Sequence, residues 1–175
     1  MKPKRTLVLG ALGQLGKALR AEFGEGGNIE FADRVELDIS APGLEQAREW
    51  TDYDTIINAA AYTAVDLAET EAGRVDSWSA NVAAVSALSR IAAAHRITLV
   101  HVSSDYVFDG LLGRPYAEDD PFAPLGVYGQ TKAAGDAIVA TVPRHYIVRT
   151  SWVVGDGRNF ITTMTSLAER GIDPA

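Results

Sequence analysis

The chain has no cysteine, only three histidines and two methionines, and few lysines. No apolar run approaches the roughly 18 to 20 residues that a membrane span needs. Without cysteine there is neither a disulfide framework nor a thiolate metal site. His95, His101 and His145 lie too far apart for metal-ligand spacing, so each is expected to be a hydrogen-bonded polar group. Basic charge is short as well: 16 Lys plus Arg stand against 23 Asp plus Glu in 175 residues, a formal charge of −7. Such a surface repels polyanions, which argues against nucleic acid or an anionic membrane as partner. An anionic small molecule stays possible where basic groups are focused locally. Lys2, Lys4 and Arg5 precede an apolar run as in a signal peptide, but Gln14 and Lys17 interrupt it and no small-residue cleavage site follows. A cytoplasmic protein is expected. With 47% hydrophobic residues, a chain of this size can bury about two thirds of its unfolded surface in one core.

The patterning alternates between two periods. Thr6-Leu7-Val8-Leu9 reads as a strand ended by Gly10, and 14–23 carries apolar residues at helical spacing, namely Leu15, Ala18, Leu19 and Phe23. Further strands are expected over 28–32, at Val35-Glu36-Leu37, over 55–57, over 97–102 and over 146–148. The unalternating 55–57 run suits a parallel strand covered on both faces. Helices are expected over 44–50, where Pro42 suits a start, over 71–95, the longest, over 128–141 and over 160–170. Trp50 and Trp78 fit helix core positions. Residues 103–127 are rich in Gly, Pro and Asp and read as a loop longer than compact domains usually carry, at a strand end where sites are built. The sum is an α/β chain with a doubly wound, mostly parallel sheet of Rossmann type. After the last helix, Gly171-Ile172-Asp173-Pro174-Ala175 reads as an exit toward another strand, so the chain is expected to be a fragment, although a short extended tail would read the same way.

Three clusters carry chemistry. Gly10, Gly13 and Gly16, with Gln14 and Leu15 between them, lie between the first strand and the first helix. Glycine there permits a tight turn and lets backbone N–H groups and the helix dipole approach a pyrophosphate. With 16 glycines in the chain, the spacing alone is weak, and its place after the first strand gives it weight. Asp33 ends the second strand where a ribose 2′-hydroxyl acceptor is expected, while Arg34 beside it could pair a 2′-phosphate; Asp38-Ile39 could meet adenine. Each of these also reads as a cap or a solvated charge, and NAD against NADP stays open. Tyr128 and Lys132, four apart, share a helix face. An ammonium beside a phenol favours phenolate and is expected to lower its pKa. Ser104, past the strand ending at Val102, is placed to supply a hydroxyl that polarises a carbonyl for hydride attack. Trp152 is open to stacking or packing, and Asn81 to binding water or backbone.

Five stretches together resemble the extended short-chain dehydrogenase/reductase family, and within it the dTDP-4-dehydrorhamnose reductase family. They are Gly10-Ala11-Leu12-Gly13-Gln14-Leu15-Gly16, Asn58-Ala59-Ala60-Ala61-Tyr62-Thr63-Ala64-Val65-Asp66, Ser103-Ser104-Asp105-Tyr106-Val107-Phe108-Asp109-Gly110, Tyr128-Gly129-Gln130-Thr131-Lys132 and Arg149-Thr150-Ser151-Trp152. The resemblance implies that Ser104, Tyr128 and Lys132 form the catalytic triad, with Lys132 also on the nicotinamide ribose. It implies that Ala59, Ala60 and Ala61 line an NADPH or NADH cofactor and that Asp38 and Ile39 meet its adenine. Val65, Asp105, Tyr106 and Trp152 would face a dTDP-linked 4-keto-6-deoxysugar. The family's usual Thr is Ser104 here, which keeps the hydroxyl, and a common Lys is Leu67. The implied activity is reduction of dTDP-6-deoxy-L-lyxo-4-hexulose to dTDP-L-rhamnose. Residues 1–175 would be the NAD(P)-binding domain, followed in the family by a C-terminal substrate part, and a homo-oligomer is possible. Two alternatives remain open: another nucleotide-sugar reductase or epimerase, and a cofactor-binding regulatory subunit similar to the methionine adenosyltransferase β subunit.

Overall fold

The structure, a computed structural model, describes residues 4–24, 26–155, 157 and 159–172. Lys2 and the last three residues of the expected strand exit lie outside the described residues. Five strands form one sheet: β1 (Arg5–Leu9), β2 (Ile29–Ala32), β3 (Tyr53–Asn58), β4 (Thr98–Ser104) and β5 (His145–Thr150). Their order is β2-β1-β3-β4-β5 and every pairing is parallel. Parallel neighbours require crossovers, supplied by helices α1 (Gln14–Phe23), α2 (Glu71–Trp78), α3 (Ala84–His95) and α4 (Val127–Val139), with α5 (Phe160–Glu169) after β5. The chain leaves β1 to one side for β2 and returns to the other side for β3. The strand order therefore reverses between β1 and β3, where α/β sheets open a crevice at the carboxyl ends of the strands. The main core places Leu7, Leu9, Ile56 and Leu99 of the sheet against Val85, Leu88 and Ile91 of α3, closed by Trp50 and Tyr53. Among the described residues, no helix is long and apolar enough to cross a membrane.

Three expected elements differ, each for a local reason. Val35-Glu36-Leu37 is a turn and not a strand. Asp33 Oδ1 accepts from the backbone N–H of Val35 at 2.7 Å and of Glu36 at 3.0 Å, and that local bonding replaces a ladder. The 44–50 helix is instead two single turns, Leu44–Gln46 and Trp50–Asp52. The Trp50 indole, buried in the core, donates to Glu45 O at 2.9 Å, so it takes the carbonyl that an α-helix would offer to residue 49. The long 71–95 helix is continuous only through a π-helical turn, Ser79–Ala83, between α2 and α3. Its buried face in α2 is Gly73 and Ser77, while Val75 and Trp78 are 65% and 43% exposed, so Trp78 is not a core residue.

The long segment after β4 is closed by the Ala123 N–H donating to Val107 O at 2.9 Å and is fastened to β5 by one side chain. Asp105–Val107 forms a short turn, and the chain then passes over the guanidinium of Arg149 from β5. Arg149 Nε donates to Asp136 Oδ2 at 3.0 Å and Nη1 to Glu118 O at 3.0 Å. The guanidinium also lies 5.4 Å from the Phe108 ring and 5.1 Å from the Phe122 ring. Phe108 stacks on Tyr116 at 4.1 Å, and Tyr116 donates to Asp109. Asp136 is wholly buried on α4, so removing its partner strands a carboxylate away from water. Arg149→Met is expected to cost about 3–5 kcal/mol of stability, read by urea unfolding. The same variant should open residues 108–122 to limited proteolysis, with Asp136→Asn milder on both readouts.

Candidate active site

The crevice between β1 and β3 holds two adjoining chambers, and its floor is set by glycine. Gly10 follows β1 with φ +80°, and a Cβ there would lie 2.8 Å from Ala60 N, against the loop that follows β3. A Cβ at Gly16 would overlap Gly10 O. These two glycines serve close backbone packing. Gly13 differs: a Cβ there would meet only Gly10 O, at 3.2 Å. Gly13 is the N-cap of α1 and brings no side-chain cap, so the first amides of a ten-residue helix face the crevice with their dipole. A cradle of bare backbone at a helix N-terminus fits a pyrophosphate.

One chamber, about 540 Å³, runs from Gly10 and Gly13 past Ala59, Ala60 and Ala61 to the end of β2. Asp33, Arg34, Asp38 and Ile39 all line it. The Asp33 carboxylate is engaged in capping its turn. Asp38 accepts from Ser40 N at 2.8 Å and from Arg34 Nε at 3.1 Å; the amide bond first, and the guanidinium after it, hold its carboxyl below the usual range against burial. The Arg34 side chain is nevertheless 84% exposed at the rim.

The second chamber, about 350 Å³, shares Gly13, Ala59 and Ala61 with the first and adds Gln14 and Leu15. Ser104, Tyr128 and Lys132 meet there, together with Thr150 and Ser151, which sequence reasoning did not single out as site residues. Tyr128 sits edge-on to Tyr106, ring centroids 5.6 Å apart. Burial raises the Tyr128 pKa, with Ser104 opposing the shift and Asp105 and Tyr106 adding to it; the Ser104 hydroxyl itself donates to Asp105 Oδ1 at 3.1 Å and accepts from Tyr106 N at 3.2 Å. The expected depression of this phenol by the Lys132 ammonium is not found. Lys132 is buried and turned toward the sheet, where Nζ donates to Val102 O at 2.7 Å. Burial brings its own pKa down to about 8, opposed by the Asp136 charge.

Beneath Lys132 a buried polar chain crosses from β3 to β4. Ala60 N donates to Asn58 Oδ1 at 3.2 Å, Asn58 Nδ2 is 3.1 Å from His101 Nδ1, and His101 Nε2 is 3.4 Å from Lys132 Nζ. His101 is held neutral, its pKa pushed down to about 3 by burial and then by the Lys132 charge. The sequence signal was present in principle: a histidine inside an apolar parallel strand must find buried partners.

Other side chains position this set. Asn81, in the π turn, accepts from Tyr62 N at 2.9 Å and donates to Tyr62 O at 3.1 Å and to Thr131 Oγ1 at 3.1 Å. It thereby clasps the loop after β3 to α4. Glu69, unsuspected in the sequence, accepts from Val127 N at 2.7 Å and so caps α4 from outside it. Close approach is again set by glycine: a Cβ at Gly129 would overlap Tyr106 O, and one at Gly135 would lie 2.6 Å from Asn81 O. Of the residues expected to face a sugar nucleotide, Val65 packs on the Ala68–Val127–Tyr128 cluster. Asp105 and Tyr106 are exposed beside Ser104. Trp152, 62% exposed, leans on Phe160 at 4.1 Å and lines neither chamber, though its neighbours Ser151 and Val153 do. A dinucleotide-sized crevice ending in a phenol, a hydroxyl and an amine is suited to proton transfer beside a bound redox group.

Comparison with known proteins gives the same direction. Residues 4–173 match the family model described as RmlD substrate binding domain. The chain is 42% identical over 170 residues to the dTDP-4-dehydrorhamnose reductase of Aggregatibacter actinomycetemcomitans, covering 94% of this chain and 57% of that protein. It is 38% identical over 175 residues to the Mycobacterium tuberculosis enzyme of the same name, covering 95% and 57%. Among solved structures, a dTDP-4-dehydrorhamnose reductase from Clostridium acetobutylicum superposes with TM-score 0.86 at 34% identity, covering 95% of this chain and 60% of that one. The Bacillus anthracis enzyme in complex with NADP gives 0.84 at 35% identity, with the same coverage. The chain thus spans a little over half the length of these relatives.

The buried neutral His101 makes stability depend on pH with a definite sign. Between its ordinary value of 6.5 and about 3, the unfolded chain takes up a proton that the folded chain refuses. Stability present above pH 6.5 is therefore lost as pH falls through that window, by up to about 1.4 kcal/mol per pH unit. Urea unfolding of His101→Gln is expected to show a shallower acid-side slope than the parent.

Proposed function

The chain belongs to the RmlD substrate binding domain family, and on that premise we propose that it is the NAD(P)-binding part of a dTDP-4-dehydrorhamnose reductase. The reaction is reduction of the 4-keto group of dTDP-6-deoxy-L-lyxo-4-hexulose, giving dTDP-L-rhamnose for cell-surface polysaccharide synthesis. The observation that carries this reading is the convergence of Ser104, Tyr128 and Lys132 in a chamber that opens directly into the glycine cradle. In this reading residues 1–175 hold the cofactor, and the sugar nucleotide also depends on a part corresponding to the remaining length of the relatives. A cytoplasmic location accords with this biosynthetic role.

The roles follow from the surroundings. Gly10, Gly13 and Gly16, with the amides of Gln14 and Leu15, hold the pyrophosphate; Asp38 and Ile39 border the adenine, and Ala59, Ala60 and Ala61 line the crevice wall. Arg34 is bonded to Asp38 through Nε but 84% exposed at the rim, where its guanidinium suits a 2′-phosphate, whereas Asp33 Oδ1 is taken up by two amides of its own turn. That contrast favours NADPH over NADH. The nicotinamide, when bound, supplies the hydride. Tyr128 supplies the proton, and its raised pKa keeps the phenol protonated at neutral pH, the form an acid must have. Ser104, whose hydroxyl donates to Asp105 Oδ1 in the structure, turns it to steady the phenolate as the proton leaves, and Lys132 holds the ribose. Val65, Asp105, Tyr106 and Trp152 contribute to the sugar-nucleotide side.

Two measurements test this. Gly13→Val is expected to fold, because its Cβ meets only one atom at 3.2 Å, yet to lose NADPH binding in a fluorescence titration; undiminished affinity refutes the cradle. NADPH oxidation with the 4-ketosugar nucleotide is expected to fall by about 10² to 10⁴ in Tyr128→Phe while NADPH affinity is retained. Equal rates would require another acid, and tight NADPH binding with no turnover on adding the ketosugar would favour a regulatory subunit.

A further inference from the structure

We infer that His101 is a positioning residue: Asn58 locks its ring with the proton on Nε2, aimed at Lys132, so the lysine's retracted place against β4 accepts an amine and repels an ammonium. The inference rests on the reading above, in which Lys132 serves the ribose and Tyr128 from the open chamber.

The direction of the hydrogen bonds follows from one fixed end. The Ala60 backbone N–H can only donate, so the Asn58 atom 3.2 Å from it is the carbonyl oxygen. The Asn58 NH₂ then faces His101 Nδ1 at 3.1 Å, and an amide nitrogen can only donate. Nδ1 must therefore carry a lone pair, which excludes both the Nδ1–H tautomer and the imidazolium. The ring proton is on Nε2, 3.4 Å from Lys132 Nζ. An ammonium has three N–H donors and no lone pair, so it opposes Nε2–H; a neutral amine has the lone pair to accept from it. Val102 O accepts from Nζ in either state, at 2.7 Å.

The remaining charged and titratable groups around Lys132 do not reverse this. Asp136 on α4 attracts an ammonium and is the one charge that opposes the preference; its Oδ2 is engaged by Arg149 of β5 at 3.0 Å, while Oδ1 is buried without a hydrogen-bond partner. Tyr128, one turn earlier on α4, lines the chamber. Asn58 on β3 is uncharged. Burial and the Nε2–H dipole thus both favour the amine in the retracted place, in keeping with a lysine pKa brought down to about 8. Protonation drives the side chain outward to the chamber, where a ribose hydroxyl and the Tyr128 oxygen offer lone pairs. His101 touches neither and acts through Lys132 alone.

The experiment uses the whole chain and no substrate. With three histidines in the sequence, long-range ¹H–¹⁵N correlation identifies each ring's tautomer, His101→Phe marking the signal. The expected result is a His101 ring carrying only Nε2–H from mildly acid to alkaline pH. An Nδ1–H tautomer, or an imidazolium in that range, overturns the inference, and His101→Gln marks the same signal should His101→Phe not fold. The Lys132 amine, one of four lysines in the chain, is then titrated through its adjacent carbon. His101→Phe removes an opposing donor and is expected to raise the Lys132 midpoint by about one pH unit. A lower midpoint means that Nε2 had been accepting from the ammonium and refutes the proposal. NADPH titration of the same sample separates the two readings. An Nε2–H ring without NADPH binding leaves this inference standing and removes the cofactor assignment, whereas NADPH binding with an Nδ1–H ring does the reverse.

Discussion

The site depends on how closely α4 can approach its neighbours. Tyr128 and Lys132 are useful only if their helix lies within backbone distance of the turn after β4 and of the π turn, and side chains at the contacts would hold it off. Gly129 removes the obstacle at Tyr106 O and Gly135 the one at Asn81 O. Glu69 holds the first amide of the helix from the third side. Helices packed through ordinary side chains stand about 8–10 Å apart; bare backbone at these positions brings the phenol and the amine into the crevice itself.

The π turn is the complement of that approach. An extra residue within Ser79–Ala83 changes the helical register, so that Asn81 points at the Tyr62 backbone and at Thr131 at once. Thr131 in turn donates to Tyr128 O at 2.8 Å and lies 3.0 Å from Ser77. One amide therefore connects the loop lining the cofactor crevice to the helix bearing the acid. A regular α-helix would carry α2 and α3 in one register and could not serve both the polar contact with α4 and the apolar contact with the sheet.

The strands were legible because each holds a short apolar run, even in β5, where one face is open and Tyr146 and Val148 are 65% and 45% exposed, and α1 because its apolar spacing and preceding glycine agree. The order of glycine turn, Ser104, Tyr128 and Lys132 was legible too, and the fold brings them to one crevice. What failed was the assumption that an apolar residue marks the buried face. In α2 the buried face is Gly73, where a Cβ would overlap Leu67 O of the preceding turn, and Ser77, whose hydroxyl lies 3.0 Å from Thr131 of α4; these contacts select small and hydrogen-bonding residues and leave Val75 and Trp78 outside. The Val35 turn and the Trp50 indole bond are side-chain competitions with backbone ladders, which periodicity does not register. Spacing put Lys132 on the Tyr128 face but carried no information about which way a long flexible side chain turns. His101 and Asn58 lie too far apart in sequence for their contact to show.

Arg149 fastens the long connection after β4 near its two ends, through Phe108 on one side and Glu118 and Phe122 on the other. The span between these anchors carries the Arg114–Asp120 pair and the exposed Leu111, and it touches neither chamber. Doubling the length of a flexible loop costs only about 0.6 kcal/mol in closure entropy. Lineages descended from this sequence are therefore free to lengthen, shorten or diversify that span while the residues at its root keep their places. A single guanidinium separates a stretch of chain open to evolutionary drift from one that is not.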